Sequence, residues 1–309
     1  MKRRVLVTGA TGAMGSYLCP VLRDAAECEV LGTRSLLSDR NYEVKGVDYE
    51  AVDLAQDTLG IDRIVRLFQP KWVFHLASRA NVLSSFRSPA SIALNNVACT
   101  LHVLDAVRRF APRARFIHCS SSEVYGAITH DECPVDESAP LRPVSPYAGS
   151  KVAQEALVTS FGRSYKLDYV ITRAFGYVNP RRPDLVLTSF AEQIKRTAVV
   201  CHGNLDSIRT FVDARDIAVA YWVAAVKCES GEAYNIGATK GMSVRSALDE
   251  LEAVAGLKVK RILDPELLRP ADVSYQIPRI GKFTSATGWS PEISFKESLR
   301  WLLDEVGKT

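Results

Sequence analysis

The stretch that most restricts how this chain can fold lies at its start. Residues 4–8 are a short apolar run that ends in Gly9-Ala10-Thr11-Gly12-Ala13-Met14-Gly15, and the helical spacing of Tyr17, Leu18, Val21 and Leu22 follows at once. A strand must therefore turn into a helix within a few residues, and glycine reaches backbone conformations that other residues adopt only with strain. Gly9 permits the tight turn, Gly12 lets a pyrophosphate approach the backbone, and Gly15 lets the helix pack close to the sheet. The turn, with Ala13 and Met14 in it, is a candidate dinucleotide cradle.

Apolar runs at 29–32, 49–52, 72–76, 115–119 and 169–173 alternate with helical spacing at 61–68, 90–110 and 147–161. Five β/α repeats without a break predict an α/β fold, a Rossmann-type doubly wound parallel sheet covered on both faces. Ligands of such sheets gather at the carboxyl ends of the strands, near the switch in strand order. The glycine turn, Asp53-Leu54, Leu76-Ala77-Ser78 and Ser120-Ser121-Ser122 all fall at predicted strand ends. Ala77 and Ser78 are small enough for a cofactor to pass over them. Thr33-Arg34-Ser35 follows the second run, with Arg40 nearby, where an acidic residue would bind the adenosine ribose. Either Arg34 meets a 2′-phosphate, which favours NADP with NAD as the alternative, or it is a solvated loop arginine. Asp53 either accepts a hydrogen bond from an adenine amino group or begins a turn. Asn96, an amide inside an apolar helix, is either functional or bridges to a neighbouring strand.

Tyr147-Ala148-Gly149-Ser150-Lys151 carries the chemistry. One helical turn separates the phenol from the ammonium and puts both on one face. A neighbouring ammonium favours the phenolate and lowers a tyrosine pKa, which fits the phenol for proton exchange with a substrate oxygen. Pro134, Pro140, Pro143 and Pro146 make 123–147 a rigid loop that delivers Tyr147 to a helix start. Pro180-Arg181-Arg182-Pro183 marks a loop where the chain leaves the sheet. The expected division is a dinucleotide-binding domain over 1–175, to which 207–235 returns, and a smaller C-terminal substrate-binding lobe over 176–309.

A net charge of +4 with dispersed basic residues excludes a nucleic-acid stripe. The start runs directly into the strand rather than a leader, and no apolar run reaches bilayer length, so a cytoplasmic protein without a membrane partner is expected. Seven scattered cysteines without a Cys-x-x-Cys read as reduced thiols, with neither a disulfide framework nor a metal site.

Taken together, Gly9-x-x-Gly12-x-x-Gly15, Asp53-Leu54, Ser120-Ser121-Ser122-Glu123-Val124-Tyr125-Gly126 and Ser145-Pro146-Tyr147-x-x-x-Lys151 resemble the extended short-chain dehydrogenase/reductases that act on nucleotide sugars. The stretches 203–216 and 268–273 are similar to the branch of GDP-mannose 4,6-dehydratase and GDP-4-keto-6-deoxy-mannose reductase. The resemblance implies Tyr147 as general acid/base, Lys151 as its tuner and a nicotinamide-ribose contact, and Ser121 as the hydroxyl that holds the reacting sugar oxygen. Glu123 falls where the dehydratases carry the C5 base. Arg209 and Arg269 match holders of the substrate diphosphate, and Ser122, Gly176, Tyr177, Asn179 and Asp272 fall among the substrate contacts. The family's Arg-x-Phe-Asn-His reads Arg173-Ala174-Phe175-Gly176-Tyr177 here, so glycine and tyrosine replace asparagine and histidine. The implied reaction is reduction of the C4 keto group of a nucleotide-linked 4-keto-6-deoxy sugar, with a 4,6-dehydratase or 4-epimerase as the alternative. The implied assembly is a homodimer built through a four-helix bundle of the 90–110 and 147–161 helices.

Overall fold

In the computed structural model, which describes residues 3–35 and 42–307, β1 (Arg3–Thr8) lies inside a seven-stranded parallel sheet. Arg40, expected near a 2′-phosphate, lies outside the described residues. β2 (Cys28–Arg34) and β3 (Asp48–Ala51) extend the sheet to one side of β1. β4 (Trp72–His75), β5 (Arg115–Ser121), β6 (Asp168–Ala174) and the strand Glu232–Ile236 extend it to the other. Strand order therefore reverses between β1 and β4, which fixes where a ligand crevice opens.

Alternation along the strands supplies two cores. Val5, Val7, Phe74, Ile117 and Val170 point to one face, against Leu18, Leu22, Ile217 and Tyr221. Leu6, Val73, Phe116 and Ile171 point to the other, against Ile61, Val103, Val107 and Val158. Helix α1 (Gly15–Pro20), which runs on into a π-helical turn at Val21–Ala25, and the helix Ala214–Lys227 supply the first partners. The second come from α2 (Thr58–Phe68), from α4 (Pro89–Phe110), which follows the short α3 (Val82–Arg87), and from α5 (Pro146–Tyr165). Strands buried on both faces are near-continuous apolar runs, as read from the sequence.

The expectation that no apolar run reaches bilayer length is corrected by helix α4, which is long and apolar enough to cross a membrane by length and composition. Its Ile92, Cys99, Val103, Leu104 and Val107 are buried, most of them in the second core, while Leu94 and Leu101 are exposed, so its apolarity is divided between the core and an open face.

Three further helices, Val186–Arg196, Val244–Ala255 and Phe295–Glu305, surround an apolar cluster of their own that includes Leu187, Phe190, Leu248, Leu251 and Leu299, while the helix Gly281–Thr287 adds Phe283 to the first core. Two-residue strands escape periodicity arguments, and three of them, Ile208–Arg209, Met242–Ser243 and Tyr275–Gln276, form a small sheet. Beneath the proline-rich loop, Val124, Tyr125, Ile128, Val135 and Phe175 make a fourth cluster. It holds the 3₁₀ turn Ser122–Tyr125 against the end of β6.

Candidate active site

Gly9 has φ +68°, and a Cβ there would lie 3.0 Å from both the Cα and the N of Ala77. The turn after β1 is thus pressed against the chain leaving β4. A Cβ on Gly15 would sit 2.4 Å from the Gly9 carbonyl oxygen and 2.7 Å from Ala10 Cα. The close approach that Gly15 allows is therefore to the turn itself rather than to the sheet. Gly9, Gly12, Ala13, Met14, Gly15, Leu76 and Ser78 line one cavity.

A second cavity, of about 330 Å³, opens beside it. Ser121, Ser122, Glu123, Tyr147, Gly176, Tyr177, Arg209, Arg269 and Gln276 are on its wall. The two cavities share Ala80, Asn81, Arg182, Pro183 and Asp184, so the cavity walled by Tyr147 adjoins the one bounded by the glycine turn.

Local chemistry explains how Tyr147 arrives there. Ser145 caps α5, its Oγ accepting from Ala148 N at 3.1 Å, and Pro146 takes the first helical position. Tyr147 is buried and shares the cavity wall with Ser121. Ser121 Oγ also accepts from Glu123 N at 3.2 Å, which fixes the start of the 3₁₀ turn.

The electrostatics differ from the sequence reading. Burial pushes the Tyr147 phenol well above its ordinary range, and the cation that opposes this is Arg182. Lys151 is buried under the wall, where its Nζ donates to the Cys119 carbonyl at 2.9 Å. Burial lowers its pKa from 10.5 to about 8, against opposing pulls from Cys119 and Glu155. Arg182 carries no signal in the sequence beyond its place in a loop marker. Its guanidinium makes a two-point pair with Asp184, at 2.6 Å for both Nε and Nη2, and its Nη1 reaches Tyr177 Oη at 3.4 Å. Its position depends on how a proline-flanked loop folds back, and no local pattern encodes that. Gln276 escapes sequence reasoning as well, because a lone glutamine on a two-residue strand stands out from nothing.

Several expected site residues make scaffold contacts. Asn96 is fully buried. Its Nδ2 donates to Ser150 Oγ at 3.0 Å and to Arg79 O at 3.2 Å, and its Oδ1 accepts from Arg79 N at 2.8 Å. It ties the segment after β4 to α5 one residue before Lys151, the bridging role among those expected for it. Asn179 is also fully buried. Its Nδ2 donates to the Ala13 carbonyl at 3.3 Å, so it braces the glycine turn. Asp53 begins a turn, its Oδ1 accepting from Ala55 N at 2.9 Å, and the Leu54 side chain belongs to the second core. Ala77 is the surface on which Gly9 rests. Arg34 ends β2 with its Nε 3.2 Å from Glu43 Oε1 and is mostly buried, not a solvated loop arginine. A Cβ on Gly176 would lie 2.4 Å from the Thr210 carbonyl oxygen, which accounts for glycine where the resembling family has asparagine.

A buried polar chain supports the junction. His75 Nδ1 bonds Thr8 Oγ1 at 2.8 Å and its Nε2 bonds Thr100 Oγ1 at 2.9 Å. Gln154 Nε2 donates to Asn96 O at 2.8 Å. Burial, and then the Lys151 charge, lower the His75 pKa to about 3, so this imidazole is a neutral strut between β1, β4 and α4.

A sequence model described as GDP-mannose 4,6 dehydratase matches residues 6–302. A GDP-6-deoxy-D-mannose reductase from Pseudomonas aeruginosa is 30% identical over 312 residues, covering 99% of this chain and 97% of that one. Among solved structures, a UDP-glucose 4-epimerase from Thermus thermophilus in complex with NAD is 30% identical, with a TM-score of 0.90 over 99% of this chain and 100% of that one. The RMD structure from Pseudomonas aeruginosa complexed with NADPH is 26% identical, with a TM-score of 0.82 over 98% of each chain. The sheet, the glycine turn and the Ser121/Tyr147 wall thus fall within a known group, and the chain belongs to the GDP-mannose 4,6 dehydratase family, as a nucleotide-sugar-modifying enzyme of the short-chain dehydrogenase/reductase type.

Proposed function

We propose that this enzyme reduces the C4 keto group of a nucleotide-linked, GDP-type 4-keto-6-deoxy sugar. The observation that carries the reading is the adjoining pair of cavities, one walled by the glycine turn and the other by Ser121 and Tyr147. A reduced nicotinamide, when bound, supplies the hydride. The cradle fits such a group: glycines bring bare backbone to the cavity at Gly9, Gly12 and Gly15, and Leu76 and Ser78 form its floor. Arg34 at the end of β2 supports NADPH over NADH, because its guanidinium suits a 2′-phosphate, which would have to displace the Glu43 carboxylate that pairs with it at 3.2 Å.

The chain's own residues handle the proton. Tyr147 donates from its phenol to the oxygen at C4, and Ser121 holds that oxygen by its hydroxyl. Arg182 is the cation that acts on the phenol, and Lys151, seated on the Cys119 carbonyl one helical turn from it, adds positive charge beneath the wall. Arg209 and Arg269 take the diphosphate, with Ser122, Tyr177 and Gly176 completing the sugar wall. The two-lobe division proposed is 1–175 with 207–235, and 176–309, with the substrate held between the lobes.

The presence of the Glu123 carboxylate on the same wall favours one alternative, a 4,6-dehydratase or 4-epimerase that recycles its cofactor internally. Incubation with GDP-4-keto-6-deoxy-mannose and NADPH separates the two. A reductase oxidises one NADPH per sugar reduced; no NADPH oxidation here, with turnover of the C4-hydroxyl sugar GDP-mannose without net cofactor change in a parallel incubation, would establish the alternative.

We also propose a homodimer through α4 and α5. Leu94 is 70% exposed on α4 and Tyr165 53% exposed on α5, and Leu101 adds to the same surface. Light scattering after size exclusion is expected to return twice the chain mass of 34.0 kDa; a stable monomer would contradict this.

A further inference from the structure

Arg209 and Arg269 stand where two cavities meet. The inner cavity holds Ser121, Glu123 and Tyr147, whereas the outer one is lined by Phe190, His202 and Asp272; both arginines line both. Carboxylates approach this arginine pair from opposite sides. On the inner side, Glu123 Oε1 is 3.5 Å from Arg269 Nη1 and 3.4 Å from Gln276 Nε2. On the outer side, Asp272 Oδ1 is 3.6 Å from Arg209 Nη2 and 3.9 Å from Arg269 Nη1.

Charge-assisted hydrogen bonds normally close to about 2.7–2.9 Å. None of these contacts does, although tight pairs form close by: Arg182 meets Asp184 at 2.6 Å. The charges therefore balance, two cations against two anions, through loose ion pairs, while Arg209 also donates to the Ile208 and Val273 carbonyls and Asp272 accepts from Asn204 Nδ2 and Val273 N; Glu123 is the carboxylate held only by long contacts. Burial lowers the Arg209 pKa, and Asp272 and Glu123 oppose that fall, so the carboxylates help keep the guanidinium charged. Whatever displaces the carboxylates must itself be anionic.

We propose that Glu123 and Asp272 are place-holders for the substrate's diphosphate. A nucleoside diphosphate entering across the boundary takes both guanidiniums, and Glu123 is handed from Arg269 to the sugar side of the inner cavity. The inference rests on the nucleotide-sugar reading given above. Phosphate oxygens meet a planar guanidinium in two-point fashion at hydrogen-bonding distance, and a carboxylate held at 3.5 Å yields to them. Gln276 can keep its contact with Glu123 throughout, so the carboxylate turns toward Ser121 and Tyr147 while staying tethered. Only a ligand carrying the diphosphate frees this group beside the reacting carbon.

The substitution Glu123→Gln keeps the shape and removes the charge. Titration calorimetry of GDP, UDP and dTDP against the full chain tests it. E123Q is expected to bind the preferred nucleoside diphosphate about tenfold tighter than wild type, because the competing anion and its repulsion of phosphate are gone. D272N, on the outer side, tightens binding in the same sense and serves as the second variant should E123Q melt below the assay temperature. In turnover, E123Q lowers KM and kcat together, a split that a merely structural glutamate would not produce. Equal or weaker binding by folded E123Q overturns the place-holder and leaves the nucleotide-sugar reading standing. Wild type that binds none of the three nucleoside diphosphates overturns both.

Discussion

Replacing Tyr147 with phenylalanine is expected to lower kcat for ketone reduction by about 10³-fold, the usual worth of a positioned general acid. The ring stays in place, because its burial at the start of α5 is set by Ser145 and Pro146 rather than by the hydroxyl. NADPH affinity, read by fluorescence titration, should change little, since the glycine-turn cavity has its own wall. Ser121 shares the wall with the phenol and holds the same substrate oxygen, so Ser121→Ala should cost less than Tyr147→Phe and the two should not add. A drop in kcat below tenfold for the phenylalanine variant would mean that another group delivers the proton.

The pH profile of kcat carries the second half of this expectation. Tyr147 must be protonated to donate, and burial keeps it so far into the alkaline range. Lys151 is the group that changes first, losing its charge as pH rises through about 8. Reduction should therefore be level below that point and fall above it, and K151M should be slow throughout and lack the fall. Stability moves the other way. A lysine whose folded-state pKa lies below its ordinary 10.5 opposes folding while it must be held charged, and this penalty fades as pH climbs from about 8 toward 10.5. A kcat that falls while chemical denaturation shows no loss of stability over the same window would separate the lysine's charge from unfolding.

The parts legible in the sequence were those encoded locally. Gly9 follows β1 directly, so its turn could be read before any contact was known. Tyr147 and Lys151 are one helical turn apart, and Ser145-Pro146 announces the helix that carries them. Asn96 was visible as an oddity, yet its choice between ligand and strut depended on Arg79 and Ser150, which only the packing of α4 on α5 brings together. Arg182 and Gln276 were unreadable for the same reason: each reaches the wall from a loop or a two-residue strand whose placement comes from distant pairing. Sequence proximity names Lys151 as the charge acting on the phenol, whereas the folded chain presents Arg182 and turns Lys151 toward Cys119.

Glu155→Ala is expected to destabilise the fold by about 3–5 kcal/mol, the scale for stripping one partner from a buried ion pair. Glu155 and Arg173 are both buried and meet at two points, 2.7 Å for Nη2 and 3.1 Å for Nε. Ser120 Oγ donates to the same carboxylate at 2.6 Å, and Arg173 Nη1 donates to Tyr125 Oη at 2.9 Å. Tyr125 in turn donates to Asn235 Oδ1 at 2.7 Å, and Asn235 Nδ2 donates to the Val135 carbonyl at 3.1 Å. This one network joins α5, β5, β6, the strand Glu232–Ile236 and the loop that delivers Tyr147. Removing the carboxylate leaves an unpaired guanidinium in a cavity, so the melting temperature should fall by about 10 °C. Exchanging both partners for leucine and methionine should restore most of it, because the pair's desolvation largely offsets its attraction. The network also reaches the chemistry. Glu155 is one of the groups holding the Lys151 pKa up, so E155Q should move the alkaline fall in kcat to lower pH. An E155Q enzyme that melts lower but keeps the wild-type pH profile would show that the pair serves the scaffold alone.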